Sequence, residues 1–353
     1  MAKVLIVATS HRTRGGVTSV IKAHKSGRQW NEYHCRWIET HRDGNLLTTL
    51  LYVIHAFLQY LFLLPFYDLV HIHIGEPPSA LRKQAFMWWA KTWHKKTIVH
   101  FHSFSPRTTI KSKYSYLYHY LFTHADKVIV LSEYWKKEVD ATFPEAHTVV
   151  VYNPCPAVKG TSEQETTKSV CPFAHSILFA GTVSQRKGYP DLIHAFAKIA
   201  EQHRDWGLIF AGNGEVEKGK SIAQETGISD QVLWLGWVNG KAKDAVFRHA
   251  NIFCLPSYAE GFPMGVLDAW AYGLPVVTTP VGGIPDIADD GENILLFNPG
   301  DIDALACQLN KMINDNTLRN NIAKESIILA QTTFNIETIN GQIENLYKEL
   351  TTK

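Results

Sequence analysis

Glu260 and Asp268 stand eight positions apart in EGFPMGVLDAWAYGLPVV, with Gly261, Pro263 and Gly265 between them. Pro263 suits the start of a helix, and a helix from about Met264 to Tyr272 would aim its unpaired N–H groups and positive dipole end into the loop. A diphosphate fits such a mouth, and Gly261 and Gly265 would let the backbone come close to it. A carboxylate beside phosphate is repelled unless it faces neutral hydroxyls. Both acids are therefore expected to grip sugar hydroxyls, Glu260 those of a transferred sugar and Asp268 those of a ribose. The strand before them, Ile252 to Leu255, ends in Pro256 and Ser257. That is the carboxyl edge, where open α/β sheets bind ligands.

Two similar halves must carry this loop. KVLIVATSHRTRGGVTSVIKAH reads as strand, glycine loop and helix, and SILFAGTVSQRKGYPDLIHAFAKIAEQH from Ser176 repeats the pattern. Further apolar runs (DLVHIHI, TIVHFHS, KVIVLS, TVVVYN, then WGLIFAGNG, VLWLGWV, IFCLPS, PVVTTP) alternate with helical stretches. Near-continuous apolar strands separated by helices imply parallel sheets covered on both faces. The expected fold is α/β with two Rossmann-like doubly wound domains, residues 1–165 and 166–330. The boundary is expected near the unpatterned stretch 153–172, and the final helix, residues 331–353, could cap the second domain or cross back to the first. A dinucleotide fingerprint would need G-x-G-x-x-G after the first strand, and TSHRTRGGV does not supply it; no G-x-x-x-x-G-K-S/T occurs either.

The acid, Gly-Phe, helix and second acid, followed by AYGLPVVTTPVGGIPD, resemble the E-x7-E region of glycosyltransferase family 4, with Asp in the second place. LFAGTVSQRKGYPDLIHAF resembles the family's glycine–cation–helix element, IFAGNGE its glycine loop and VLWLGWV its base-pocket strand. YDLVHIH and TIVHFHS resemble the first-domain strands that end at the acceptor site. The resemblance implies a GT-B fold with two domains facing a central cleft, and retaining sugar transfer. It implies catalytic roles for His102, beside the reacting sugar, for Lys187, neutralising the leaving diphosphate, and for Glu260. It places Gly15, Gly16, Thr182, Arg186, Lys187, Gly212, Asn213, Gly214 and Val238 at the donor. Glu260, Gly261, Phe262, Pro263, Met264, Gly265, Val266 and Asp268 complete that set. Two departures stand out. Asp268 is one methylene shorter than the usual Glu, and the usual Arg after the strand glycine is Thr182, so Arg186 is expected to replace its charge.

The resemblance implies a nucleotide-diphosphate sugar as donor, UDP favoured and GDP open, and a hydroxyl acceptor. No cofactor and no metal are expected. His71/His73 and His100/His102 each put two imidazoles on one face of a strand, but no carboxylate or cysteine spacing supports a metal pair. Two rival readings stay open: a nucleotide-sugar epimerase, and a catalytically silent relative that only binds nucleotide or a partner.

Composition bounds the rest. The chain has 353 residues, 45% hydrophobic and 19% charged, enough for two cores. Cys35, Cys155, Cys171, Cys254 and Cys307 form no close pair, which suits a reduced, cytoplasmic setting. Residues 1–160 carry 20 Lys and Arg against 10 Asp and Glu, whereas residues 161–353 carry 15 against 23. By charge alone the basic half could meet nucleic acid, anionic lipid or a phosphorylated acceptor, or be a solvated surface with no fixed partner. With the resemblance, the expected partners are an anionic membrane surface and a lipid-linked acceptor in a glycolipid or surface-polysaccharide route, and no nucleic acid. RKQAFMWWAKTWHKK reads either as a helix lying on a membrane, tryptophans down, or as a core helix with basic ends; the basic run after it favours the membrane, at the inner face of the plasma membrane. LLTTLLYVIHAFLQYLFLLPF is nearly long enough to span a bilayer. Thr48, Tyr52, His55 and Gln59 share one helical face, so a mostly buried helix is expected instead.

Overall fold

β-Branched, apolar runs make strands that need cover on both faces, and the chain supplies it with helices between them. The computed structural model describes residues 2–13, 15–42, 44, 46–158 and 171–352, with only the backbone of 46–48. Most of the expected boundary stretch lies outside them. The chain divides into two units, Met1–Pro154 with Phe334–Lys353, and Cys155–Thr333.

The first unit runs β1 (Val4–Ala8), α1 (Gly16–Lys25), α2 (Arg28–Glu32), β2 (Arg36–Glu39), α3 (Leu46–Leu63), β3 (Leu69–Ile74), α4 (Pro77–Thr92), β4 (Lys96–Phe101), α5 (Ser115–His124), β5 (Lys127–Val130), α6 (Glu133–Thr142) and β6 (Thr148–Val150). The second runs β7 (His175–Ala180), α7 (Tyr189–Ala197), β8 (Trp206–Ala211), α8 (Val216–Glu225), β9 (Val232–Trp234), α9 (Gly240–His249), β10 (Ile252–Leu255), α10 (Met264–Ala271), β11 (Val276–Thr278), β12 (Leu295–Leu296), α11 (Ile302–Asn314) and α12 (Asn316–Gln331). The last helix, α13 (Ile336–Thr351), belongs to the first unit. Its Ile339 and Ile343 pack against Ile21, Ile98 and Ile129.

Both sheets are parallel, in the orders β2-β1-β3-β4-β5-β6 and β12-β11-β10-β7-β8-β9. In each, the chain winds outward one way and then returns to build the other side. The direction changes between β1 and β3, and between β7 and β10. Loops leaving the strands there splay apart and open a crevice at the carboxyl edge.

One expectation about the first unit is overturned. α3 forms, but it is not mostly buried: only 17% of residues 49–66 are buried, and this is the one helix among the described residues long and apolar enough to cross a membrane. Ala56 and Tyr60 face the core, where Tyr60 packs 4.9 Å from Phe86 and donates to the Phe86 carbonyl at 2.7 Å. Leu50, Ile54, Leu58 and Phe62 point outward. The helix is apolar on two sides, and the unit has core enough for only one. Of the expected polar stripe, Tyr52 donates to Glu39 at 2.6 Å and His55 is exposed, whereas the Thr48 side chain lies outside the described residues.

The opposite sheet face holds an array of imidazoles. His71 and His73 stack 4.5 Å apart, His73 and His100 4.8 Å, and His100 and His102 4.2 Å. His24 of α1 joins them at 6.0 Å from His100. α13 lies over the array, with Asn340 at 2.8 Å from His24 Nδ1 and Tyr347 at 2.8 Å from His71 Nδ1. The Nε2 atoms of His24 and His71 and both nitrogens of His100 are buried without a hydrogen-bond partner. Burial, reinforced at His71, His73, His100 and His102 by neighbouring positive charge, pushes all five below the ordinary imidazole value, His102 to about 3.

That depression predicts acid sensitivity. The folded state holds these rings neutral, whereas an unfolded chain binds their protons near pH 6.5, so stability is full above that value and falls as pH drops below it. Each ring contributes a slope of up to roughly 1.4 kcal/mol per pH unit. Hydrogen exchange at pH 7 and pH 5 should show the first unit losing protection while the second keeps it. Equal protection at both values would contradict the neutral array.

Candidate active site

The switch between β7 and β10 positions the central side chains. After β7 the chain passes Gly181 and Thr182, makes a single 3-10 turn over Gln185–Lys187, and enters α7 through Gly188. Gly188 has φ +70, and a Cβ there would lie 1.9 Å from the Pro256 carbonyl oxygen. Only glycine lets the two loops touch. Tyr258 N–H then donates to the Arg186 carbonyl at 2.8 Å, locking the loop after β10 onto the loop after β7. A third segment closes from above, with Gly283 N–H donating to the Gly261 carbonyl at 2.9 Å.

Glu260 lies inside this junction, 7% exposed. Its Oε1 accepts from Lys187 Nζ at 2.5 Å and from Ser257 Oγ at 2.8 Å, with Arg186 Nη1 at 3.4 Å. Arg186 also donates to the Ala259 carbonyl at 2.5 Å. Burial pushes the Glu260 carboxyl up, but Lys187 and Arg186 outweigh it and hold the group below the usual carboxylate range. It is ionised at neutral pH. Oε2 takes no hydrogen bond from the described residues, so it can accept from a ligand hydroxyl.

α10 begins at Met264 behind Pro263, matching the expected start. Phe262, Pro263 and Val266 are buried, while Met264 and Gly265 are half-buried. Asp268, one turn along, accepts from Lys243 Nζ of α9 at 2.6 Å through Oδ1. Burial dominates there and raises the Asp268 carboxyl above its ordinary value, opposed by Lys243.

Four glycines of the expected donor set make close contacts with the protein itself. Cβ atoms on Gly212, Gly214 and Gly265 would meet the carbonyl oxygens of Gly181 at 1.7 Å, Val183 at 2.2 Å and Ala180 at 3.0 Å. These positions let the loops of the unit touch one another. Gly261 is buried under the Gly283 contact, so its backbone also meets protein. Gly15 is the contrast, with φ +143 and nothing within 4 Å of where a Cβ would sit. It lies just before Gly16, which opens α1. Around the expected base pocket, Asn213 Oδ1 accepts from Trp237 N–H at 2.9 Å, Val238 is half-buried and Thr182 is exposed.

His102 belongs to the first unit, at the end of β4. Its Nε2 lies 2.9 Å from His73 Nδ1, which fixes the ring. His71, His73 and His100 bring one nitrogen each within 4.8 Å of the others. Their rings stack at 11° to 28°, so the lone pairs lie in nearly parallel, separate planes, whereas a tetrahedral ion needs them to meet at one point.

The family described as glycosyl transferases group 1 matches residues 174–327, and the glycosyl transferase 4-like domain matches residues 4–154. The chain belongs to the family 4 glycosyltransferases. An uncharacterized glycosyltransferase of Methanocaldococcus jannaschii is 29% identical over 249 residues, covering 67% of this chain and 64% of its own. The lipopolysaccharide 1,6-galactosyltransferase of Salmonella typhimurium is 29% identical over 199 residues, covering 54% of each. This glycosyltransferase thus spans between about half and two thirds of the length of these curated relatives. The structure of HepE from Anabaena in complex with UDP-glucose aligns with a TM-score of 0.79 at 19% identity, covering 99% of this chain and 100% of that one. The glycosyltransferase therefore has the α/β GT-B fold.

Three contributors to its site were not anticipated: Ser257, Lys243 and the Gly282–Gly283 segment over Glu260. Ser257 ends the strand run IFCLPS and PVGGIPD ends the motif's continuation AYGLPVVTTPVGGIPD, so a signal was present for both. Lys243 had none, because its partner Asp268 lies 25 positions away.

Proposed function

We propose that this chain transfers a sugar from a nucleoside-diphosphate donor, UDP favoured, to a hydroxyl acceptor with retention at the anomeric carbon. The observation that carries the reading is the cluster of partly buried Lys187 and Arg186 on buried Glu260 at the switch point, beside the start of α10. A carboxylate with one oxygen bound to cations and the other open suits a sugar hydroxyl. Lys187, Arg186 and the amides opening α10 suit the diphosphate next to it. In the reaction the bond from C1 to the phosphate oxygen breaks and a bond from C1 to the acceptor oxygen forms. The acceptor proton passes to the departing phosphate on the same face. His102 is assigned to the transferred sugar. Fixed cations stabilise the leaving charge, so no metal is required.

The acceptor class we propose is a glycolipid or surface-polysaccharide intermediate, met at the inner face of the plasma membrane. The named activity of the Salmonella relative and the basic first unit support it. Release of UDP or GDP from a panel of sugar donors, with and without lipid-extract acceptors, tests the reading. Acceptor-dependent release is the expected result. Binding without release from any donor would instead favour the silent relative.

Asp268 is assigned to the ribose. Asp268→Ala should raise the Kd of UDP about tenfold, the loss of one charge-assisted hydrogen bond. It should leave the Kd of 2′,3′-dideoxy-UDP unchanged. Equal weakening of both nucleotides would remove Asp268 from the ribose.

A further inference from the structure

We propose that the outer face of α3 and α4 is a docking surface for an anionic lipid bilayer. Leu50, Ile54, Leu58, Phe62 and Phe66 recur every fourth residue and are 54%, 48%, 61%, 75% and 63% exposed. They form one continuous ridge about 24 Å long at 1.5 Å per residue. Scattered exposed apolar residues are ordinary, but a ridge of four on one helix, continued by Phe66 in the turn just past its end, is not.

The ridge has a neighbour. α4 packs beside α3 through Phe57 and Phe86, 5.2 Å apart, on the same face of the sheet. It turns outward Leu81 and Trp88, followed by Trp93 at its end. α5, packed in the same core, adds Tyr116 at 64% exposure. Aromatic side chains of this kind settle at the level of lipid headgroups.

Charge selects the occupant. α3, α4 and α5 contain no Asp or Glu. From Pro77 to Ala125 the chain has eight Lys and Arg and no acid. Lys83 is buried and Lys91, Lys96 and Lys111 pair with Asp126 or Glu138, so the basic edge rests on Arg82, Lys95, Arg107 and Lys113. Lys95 Nζ donates to the Pro65 carbonyl at 3.3 Å, which puts a cation at the Phe66 end of the ridge. An apolar ridge with aromatic flanks, a basic edge and helices that carry no acid of their own matches a surface of anionic headgroups over acyl chains. The helix lies in the plane of that surface instead of crossing it, because Ala56 and Tyr60 are fixed in the core of the unit.

The inference deepens the reading of a lipid-linked acceptor, yet vesicle binding is measured without donor or acceptor. Its failure would leave the transfer reaction standing. Sedimentation of the full chain with equimolar phosphatidylglycerol–phosphatidylcholine vesicles should show binding at least about tenfold tighter than to phosphatidylcholine alone. The triple variant Ile54→Ser, Leu58→Ser, Phe62→Ser should bind at least about tenfold more weakly, with unchanged melting temperature and UDP affinity. Leu58→Glu repeats the test with a single exposed change. No vesicle binding by the wild type, equal binding to both lipid mixtures, or equal binding by the variants would each overturn the proposal. So would a wild-type dimer that the triple variant converts to monomer without any vesicle binding, since the ridge would then seat a second copy.

Discussion

Glu260→Gln is expected to lower kcat for sugar transfer by about 10³-fold, close to 4 kcal/mol of transition-state stabilisation. Glutamine keeps the size of the side chain and can still accept from Ser257, so the junction of loops should survive. What it removes is the charge that draws Lys187 to 2.5 Å and Arg186 to 3.4 Å. Without it the two cations repel one another and lose their placement. The open oxygen also becomes a neutral partner for the sugar hydroxyl, and a charged acceptor is worth about twice a neutral one. The affinity for UDP should fall as well, because the two cations proposed to meet its diphosphate lose their placement. Glu260→Ala is the poorer test, since stranding two partly buried cations can cost about 3–5 kcal/mol of stability. A glutamine variant within threefold of wild-type kcat would remove Glu260 from the chemistry.

Lys187→Ala should cost about 10²–10³ in kcat, the range for removing one fixed donor from a developing negative charge. The side chain is only 13% exposed, so little water can replace the ammonium. Arg186→Ala should cost less, about tenfold. Its Nη1 already donates to the Ala259 carbonyl, and its side chain is 33% exposed. Arg186 thus holds the backbone beside Glu260 as well as adding charge, and its loss should weaken donor binding together with turnover. If Arg186→Ala left both unchanged while Lys187→Ala lowered both, the guanidinium would not be standing in for the arginine missing at Thr182.

The order of these effects reflects what the sequence could convey. Strands such as VLIVA, LVHIHI and WGLIFA were legible because parallel strands buried on both faces are apolar throughout. β2, with the sequence RWIE, and the two-residue β12 were not, being too short and, in β2, half polar. α3 was legible as a helix but not in its exposure, since hydropathy does not distinguish a face turned to the core from one turned outward. The resemblance named Lys187 and Glu260, but not their ion pair. They are 73 positions apart and meet because β10 returns to lie beside β7, a non-local pairing that no local pattern encodes. Glycine was legible as a need for closeness, though not as to what comes close: at Gly212, Gly214 and Gly265 it is the protein's own loops.

A structure of the chain bound to an intact, slowly transferred UDP-sugar analogue tests the central claim most directly. The account predicts a diphosphate against the amides opening α10 and within hydrogen-bonding reach of Lys187 Nζ. It also predicts a sugar hydroxyl on the open oxygen of Glu260 and the ribose on Asp268. A nucleotide sugar bound away from the β7–β10 switch, with Glu260 still closed on its two cations, would contradict it.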